Sequence, residues 1–402
     1  MKSLSFTIVL IWITILSYSQ ESFEGLRSDT FYFHELRSGL PYSGKWFKEK
    51  ETGIVAYLGG SITYNPGWRD SINLYMLNSF HETDFEFINA GIPSFGSTPD
   101  AFRLEYDVLS KGKINLLFID CAVNDRANGR TSQERLRAVE GIVRHAWDIN
   151  PKMDIVFLYF VDPMKMEDYR SGKVPAEIQD YENIAQHYGI TSINLAKEVT
   201  YRIDVGEFTW EDDFKNLHPS QFGHGVYSSS IEKFLEEAYG NLRNKQSIIY
   251  GKSLPAMIDE FSYDAGILVS NKEVRIINGW EIIEHWKPTD RGGTRAGYVN
   301  IPMLVTESPG SEISFDFEGR AVGITVVAGP DVGMIEYRVD DLPWEILDLF
   351  TSWSNSLHLP WYYLLYSELE KGNHSLQLKT TNFKNIKSKG NACRIAHFFV
   401  NK

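Results

Sequence analysis

Between Gly53 and about Gly240 the chain alternates short continuous apolar runs with longer stretches whose apolar residues recur every three or four positions. The runs Gly53–Leu58, Phe85–Asn89, Ile114–Cys121, Ile155–Phe160 and Thr191–Asn194 have strand length and predict strands, the first of them buried and parallel. The stretches Trp68–Phe80, Pro99–Leu109, Ser132–Ile149, Pro175–His187 and Gly225–Tyr239 predict helices. In Ser132–Ile149, for example, Arg135, Val139, Ile142, Val143 and Ala146 fall at helical spacing. Thr131 or Ser132 can cap its start, and Pro151 stands just past its end. Such alternation builds a parallel sheet covered by helices on both faces. After about Tyr250 the texture changes. Glu312–Phe317, Gly323–Ala328, Ile335–Val339, Ser375–Thr380 and Ile395–Asn401 are short β-rich runs set among Gly, Asp and Pro, the pattern of a β-sandwich. Gly251–Pro255 reads as the link between the two regions.

The first twenty residues stand apart. Lys2, the mostly apolar run Phe6–Leu16 and the small residues near Ser17–Gln20 read as a secretory signal peptide. The expected organisation is a signal peptide over 1–20, an α/β domain over 21–250 and a β-sandwich over 251–402. Two domains suit a chain of 402 residues. No later stretch approaches ~18 uninterrupted apolar residues, so no membrane-spanning segment is expected. The formal net charge of -13 argues against nucleic acid or an anionic membrane as partner. Cys121 and Cys393 lie in apolar runs of different domains and are expected as buried free thiols, although an exported chain permits a disulfide. No His, Cys and Asp cluster has metal-ligand spacing, so neither metal nor cofactor is expected.

Four polar points interrupt the α/β pattern. Ser61 follows Gly59-Gly60 at the end of the first strand, where open α/β sheets bind ligands. The loop Asn89–Ser97 leaves the second strand with glycines that allow backbone N–H groups to face developing negative charge. Asn124 follows the third strand and can donate its amide to an oxyanion. His218, held by Pro219 before the last helix, can act as a general base. Trp68 and Arg69 follow Ser61 closely enough to rim the same cleft, with Arg69 able to hold a carboxylate or sulfate. Trp361-Tyr362-Tyr363 reads as a segment packed on the first domain, or else as a sugar-stacking platform.

Taken in order, these points resemble the SGNH hydrolases, or GDSL-like esterases, over roughly Gly53–Tyr239. The resemblance implies a flavodoxin-like three-layer α/β fold, here followed by a jelly-roll-like β-sandwich as in exported carbohydrate esterases. It implies Ser61 as nucleophile, His218 as base, and the Ser61 N–H, a loop N–H and Asn124 as oxyanion donors. The implied substrate is an acylated, typically acetylated, polysaccharide or oligosaccharide. Three positions depart from the family pattern. Gly60 replaces an Asp, Ser94 stands where a Gly is expected and leaves Gly96 as alternative donor, and Lys215 replaces the Asp three residues before the histidine. Asp212 or Asp213 can reach back to replace that carboxylate, with Lys215 itself a further candidate third member; otherwise a Ser-His dyad suffices or a backbone carbonyl orients the ring. Lys215 beside a histidine also keeps open β-elimination on uronic-acid sugars by a lyase or dehydratase, and a degenerate, glycan-binding protein is the non-enzymatic alternative.

Overall fold

A computed structural model describes residues 33–240 and 251–402. The expected signal peptide lies outside the described residues. The α/β part runs β1 (His34–Glu35), α1 (Pro41–Glu49), β2 (Thr52–Gly59), α2 (Ser61–Tyr64), α3 (Trp68–Ser79), β3 (Asp84–Gly91) and α4 (Ser97–Asp107). It continues through β4 (Leu116–Asp120), α5 (Ala122–Ala127), α6 (Ser132–Ile149), β5 (Asp154–Leu158) and α7 (Pro163–Arg170). α8 (Ala176–Tyr188), β6 (Thr191–Ile193), α9 (Leu195–Asp204) and α10 (Gln221–Gly240) complete it.

The sheet order is β1-β6-β5-β4-β2-β3, with β2 to β6 parallel and the two-residue β1 antiparallel at the edge. The sheet is therefore mixed, where the sequence predicts a parallel one, because so short an edge strand carries no periodicity. β4 and β5 are buried along their whole length, which is why they read as unbroken apolar runs. α6 begins with a capping box: Thr131 Oγ1 accepts from the Glu134 N–H, and the Glu134 carboxylate accepts from the Thr131 N–H. The chain leaves β2 toward β3 on one side and later returns to β4 on the other. That reversal opens a crevice at the carboxyl ends of β2 and β4, the place where folds of this type bind ligands.

The rest of the chain forms β7 (Gly266–Ser270), β8 (Arg275–Asn278), β9 (Glu281–Trp286), β10 (Ile301–Thr306), β11 (Glu312–Gly319) and β12 (Ala321–Ala328). β13 (Met334–Val339), β14 (Glu345–Asp348), β15 (Leu359–Tyr366), β16 (Gly372–Thr380) and β17 (Cys393–Asn401) follow. One antiparallel sheet is ordered β15-β12-β17-β10-β9, with β7 also paired to β17, and the other β14-β13-β16-β11-β8. Ile324, Val326, Ile395 and Phe398 of the first face Ile313, Phe315, Leu376 and Leu378 of the second, with Phe315 and Phe398 stacked at 4.2 Å.

The opposite face of the first sheet is also dry. Met303, Val305, Val327, Tyr362 and Phe399 join the core of the α/β part. Phe399 meets Phe102 of α4 at 4.4 Å, and Tyr362 meets Phe95 at 5.2 Å. Every residue of β12 is buried because it lies between these two cores. The Trp361–Tyr363 segment thus packs through Tyr362, as its sequence context favours. Cys121 and Cys393 are free and buried.

Candidate active site

Ser61 opens α2, a single turn at the carboxyl end of β2. A Cβ on Gly60 would lie 2.0 Å from Asn124 Oδ1 and 3.2 Å from the Phe95 carbonyl oxygen. Only a residue without a side chain lets the exit of β2, the loop after β3 and the start of α5 approach this closely. The turn closes through the Tyr64 N–H donating to the Gly60 carbonyl at 2.9 Å and the Asn65 N–H to that of Ser61 at 3.0 Å.

His218 Nε2 stands 2.7 Å from Ser61 Oγ. The loop that carries the histidine leaves a π-helical turn, Trp210–Phe214, and passes through Lys215 at φ +81. The His218 N–H donates to Asn216 Oδ1 at 2.8 Å, and Ser220 Oγ donates to the Asp213 carbonyl. Partial loss of hydration lowers the His218 pKa from its ordinary 6.5. The imidazole is therefore neutral, with a lone pair available to the serine, at neutral pH.

The expected carboxylate partner is not found. Asp213 Oδ2 accepts from the Thr209 N–H at 2.8 Å and from Thr209 Oγ1 at 3.1 Å, closing the π-helical turn and leaving the histidine without it. Asp212 is exposed and makes no bond to His218. Lys215 is exposed as well. Among the described residues no carboxylate bonds the imidazole ring.

Asn124 sits in the first turn of α5, directly after β4, with its amide over Gly60 and in no hydrogen bond with any described residue. Ser94 adopts φ +75, the left-handed region that favours the glycine expected at this position. Its carbonyl accepts from Asn128 Nδ2 at 2.9 Å, while the Asn128 N–H donates to the Asn124 carbonyl at 2.8 Å. α5 therefore ties the two candidate oxyanion positions together. Gly96 lies against the Asp125 carboxylate. Asp125 is fully buried and accepts from the Ser97 N–H at 2.8 Å, Ser97 Oγ at 2.7 Å and the Tyr181 hydroxyl at 2.9 Å. It fixes this loop from below.

Two predicted substrate contacts are corrected. Trp68 is fully buried, with its indole Nε1 donating to the Ile62 carbonyl at 3.2 Å. Arg69 is buried too, and its guanidinium donates to the Thr63, Tyr64 and Asn65 carbonyls. Both hold the Ser61 turn from behind, because the helix after that turn folds back under it. His224 supports the same corner, its Nδ1 accepting from the Trp68 N–H at 3.3 Å.

Sequence reasoning missed Asp120, whose fully buried carboxylate accepts from Thr63 Oγ1 at 3.0 Å and leaves Oδ1 without a partner. Burial pushes its pKa up to about 7. It also missed Arg295, from the β part, whose Nη2 lies 3.4 Å from Ser94 Oγ. Nothing local in the sequence links residues 201 positions apart. A cavity of about 460 Å³ is lined from both parts of the chain, by Ile92, Tyr106 and Asp107 on one side and Tyr298, Ile301 and His397 on the other. It includes neither Ser61 nor His218.

Residues 57–226 match the family model of the GDSL-like Lipase/Acylhydrolase family. This segment runs from within β2 into the first turns of α10 and contains all four polar points, so the α/β part resembles the GDSL-like acylhydrolases. The same two-part architecture occurs in the crystal structure of a two-domain esterase (CEX) active on acetylated mannans. That structure is 20% identical, covering 91% of this chain and 97% of the other, with a TM-score of 0.74. The form co-crystallized with mannopentaose matches at 20% identity over 90% of this chain and 95% of the other, with a TM-score of 0.72. At this identity the likeness establishes a shared fold. No curated protein sequence matches the chain.

Proposed function

We propose that the chain is an exported serine esterase that removes small O-acyl groups, acetyl foremost, from a polysaccharide or oligosaccharide. The observation that carries this reading is the 2.7 Å approach of His218 Nε2 to Ser61 Oγ at the switch point of the sheet. Ser61 Oγ attacks the ester carbonyl carbon while His218 takes its proton. The carbonyl oxygen becomes an oxyanion facing the Ser61 N–H, the Asn124 amide and an N–H of the Ser94–Gly96 loop. The histidine then gives its proton to the departing sugar hydroxyl. Water, deprotonated by His218, hydrolyses the acyl-enzyme, releases the carboxylic acid and restores the serine.

The carbohydrate substrate is supported by the two-domain fold shared with an esterase active on acetylated mannans. Export is supported by the N-terminal twenty residues. Elimination has no comparable support, since Lys215 makes no hydrogen bond or ion pair with His218.

The test compares wild type with Ser61→Ala on a chromogenic acetyl ester and on an acetylated glycan, following acetate release. Loss of about 1000-fold or more in kcat is expected, the scale of removing a nucleophile. Asn124→Ala is expected to lower kcat by about 100- to 1000-fold, the scale of one oxyanion donor. Full activity in Ser61→Ala overturns the mechanism. Formation of unsaturated uronate without acetate replaces it with elimination.

A further inference from the structure

The β part delivers one cation to the corner described above. Arg295 lies in the connection between β9 and β10, and that connection is held on several sides. Asp290 Oδ1 accepts from the Gly292 N–H at 2.8 Å and lies 2.8 Å from His358 Nε2. The His358 N–H donates to the Gly293 carbonyl at 2.7 Å, and the Tyr298 N–H donates to that of Arg295 at 3.2 Å. Tyr298 is itself buried, with its hydroxyl 3.1 Å from that of Tyr362. The guanidinium is thus presented from a fixed loop, next to Ser94. The residue after Ser94 places its carbonyl against Gly60.

The donors of this guanidinium are nearly idle. Nε is buried and has no partner. Nη1 reaches only the Thr294 carbonyl at 3.5 Å, and Nη2 only Ser94 Oγ at 3.4 Å, both at the outer limit of a hydrogen bond. Burial lowers its pKa with no carboxylate raising it again. Arg126, Arg135 and Arg137 each meet a carboxylate within 2.8 Å, and Arg69 is spent on three carbonyls. A guanidinium that has lost part of its water and gained no counter-charge carries a cost that an incoming anion lowers. The planar fork matches two oxygens of a carboxylate or sulfate. The net charge of the chain, -13, repels polyanions at long range, so an acidic glycan needs such a local cation to be held here.

We infer that Arg295 binds an anionic substituent, a carboxylate or a sulfate, on the sugar beside the acylated one, so that the preferred substrate is an O-acylated acidic glycan. This rests on the esterase reading for its catalytic context but not for the binding itself.

The experiment has a turnover arm and a binding arm. In the first, kcat/KM for acetate release is measured on acetylated trigalacturonate, an acetylated sulfated trisaccharide and acetylated mannotriose. Wild type is expected to favour one of the acidic substrates. Arg295→Gln is expected to reduce that preference about tenfold or more, through KM, the scale of a lost charge-assisted contact. Arg295→Lys is expected to keep part of it, and the melting temperature of each variant checks its fold. Which acidic substrate responds identifies the anion. In the second arm, Ser61→Ala is titrated with unacetylated trigalacturonate, the sulfated trisaccharide and mannotriose, before and after adding Arg295→Gln. Binding of an acidic sugar that disappears with Arg295 supports the site even if no acetate is released, an outcome that sinks only the esterase reading. Equal preference in wild type and Arg295→Gln, with no Arg295-dependent binding, overturns the inference.

Discussion

In the proposed mechanism a protonated His218 cannot take the Ser61 proton, so the rate is expected to follow its neutral fraction. Because lost hydration depresses its pKa, the neutral form persists below the ordinary 6.5. The acidic limb of kcat/KM is expected to have an apparent pKa below 6.5, and a limb above that value would contradict the structure. Among the described residues no carboxylate bonds the ring, so in the same mechanism the imidazolium formed during attack lacks a stabilising anion, and a modest kcat is expected. Asp120 gives a residue-scale prediction about stability. Its folded pKa of about 7 lies above the ordinary 3.8, so the folded state holds the proton more tightly than the unfolded one. Stability from this group is full below about pH 4 and lost as pH rises through about 7. Asp120→Asn removes the titration. The melting temperature of the variant is therefore expected to gain on that of wild type between pH 5 and pH 8, and a constant gap would count against this account.

Among the elements, α6 does more than cover the sheet. Glu140 is fully buried and accepts from the Tyr188 hydroxyl, the Ile258 and Asp259 N–H groups and Ser262 Oγ. Lys252 donates its N–H to the Pro151 carbonyl at 2.9 Å, and Arg144 donates to that of Pro255 at 2.9 Å. The stretch Gly251–Pro255, expected as a link, is thus seated on the α/β part and continues along this helix. Glu140→Ala leaves buried donors unpaired and is expected to cost about 2–4 kcal/mol, read from the denaturant midpoint. Gly141→Ala tests the same contact by size. Its Cβ would fall 2.6 Å from the Tyr263 backbone, and overpacking of this kind costs about 1–3 kcal/mol. α6 was legible because eighteen residues of clear period with a capping box leave little ambiguity. α2, four residues long, has no period to read, and only its glycines and Ser61 mark it.

At the scale of the molecule, the two parts share a core. Phe95 and Phe102 from one side, and Tyr362 and Phe399 from the other, bury one another. A single cooperative unfolding transition is expected, with tryptophan fluorescence and far-ultraviolet circular dichroism coinciding. Two separated transitions would contradict a common core. A chain stopped at Gly251 would leave the α4 face of that core exposed, and it is expected to aggregate and to lose acetyl-ester hydrolysis.

What the sequence by itself determined follows from period and chain order. Short apolar runs of strand length, alternating with amphipathic helices, read as the strands of a covered parallel sheet, and that order places Ser61, Asn124 and His218 toward its carboxyl edge. What only tertiary structure decided depends on side chains meeting across long separations. Asp213 lies five residues from His218, yet it is held by Thr209. Arg69 lies eight residues from Ser61 and faces away from the crevice. Arg295 lies 201 residues from Ser94 and reaches its hydroxyl. Spacing along the chain fixes which strand end a residue occupies, whereas the partner of a polar group is fixed by which competing donor or acceptor comes within hydrogen-bonding distance once the chain is packed.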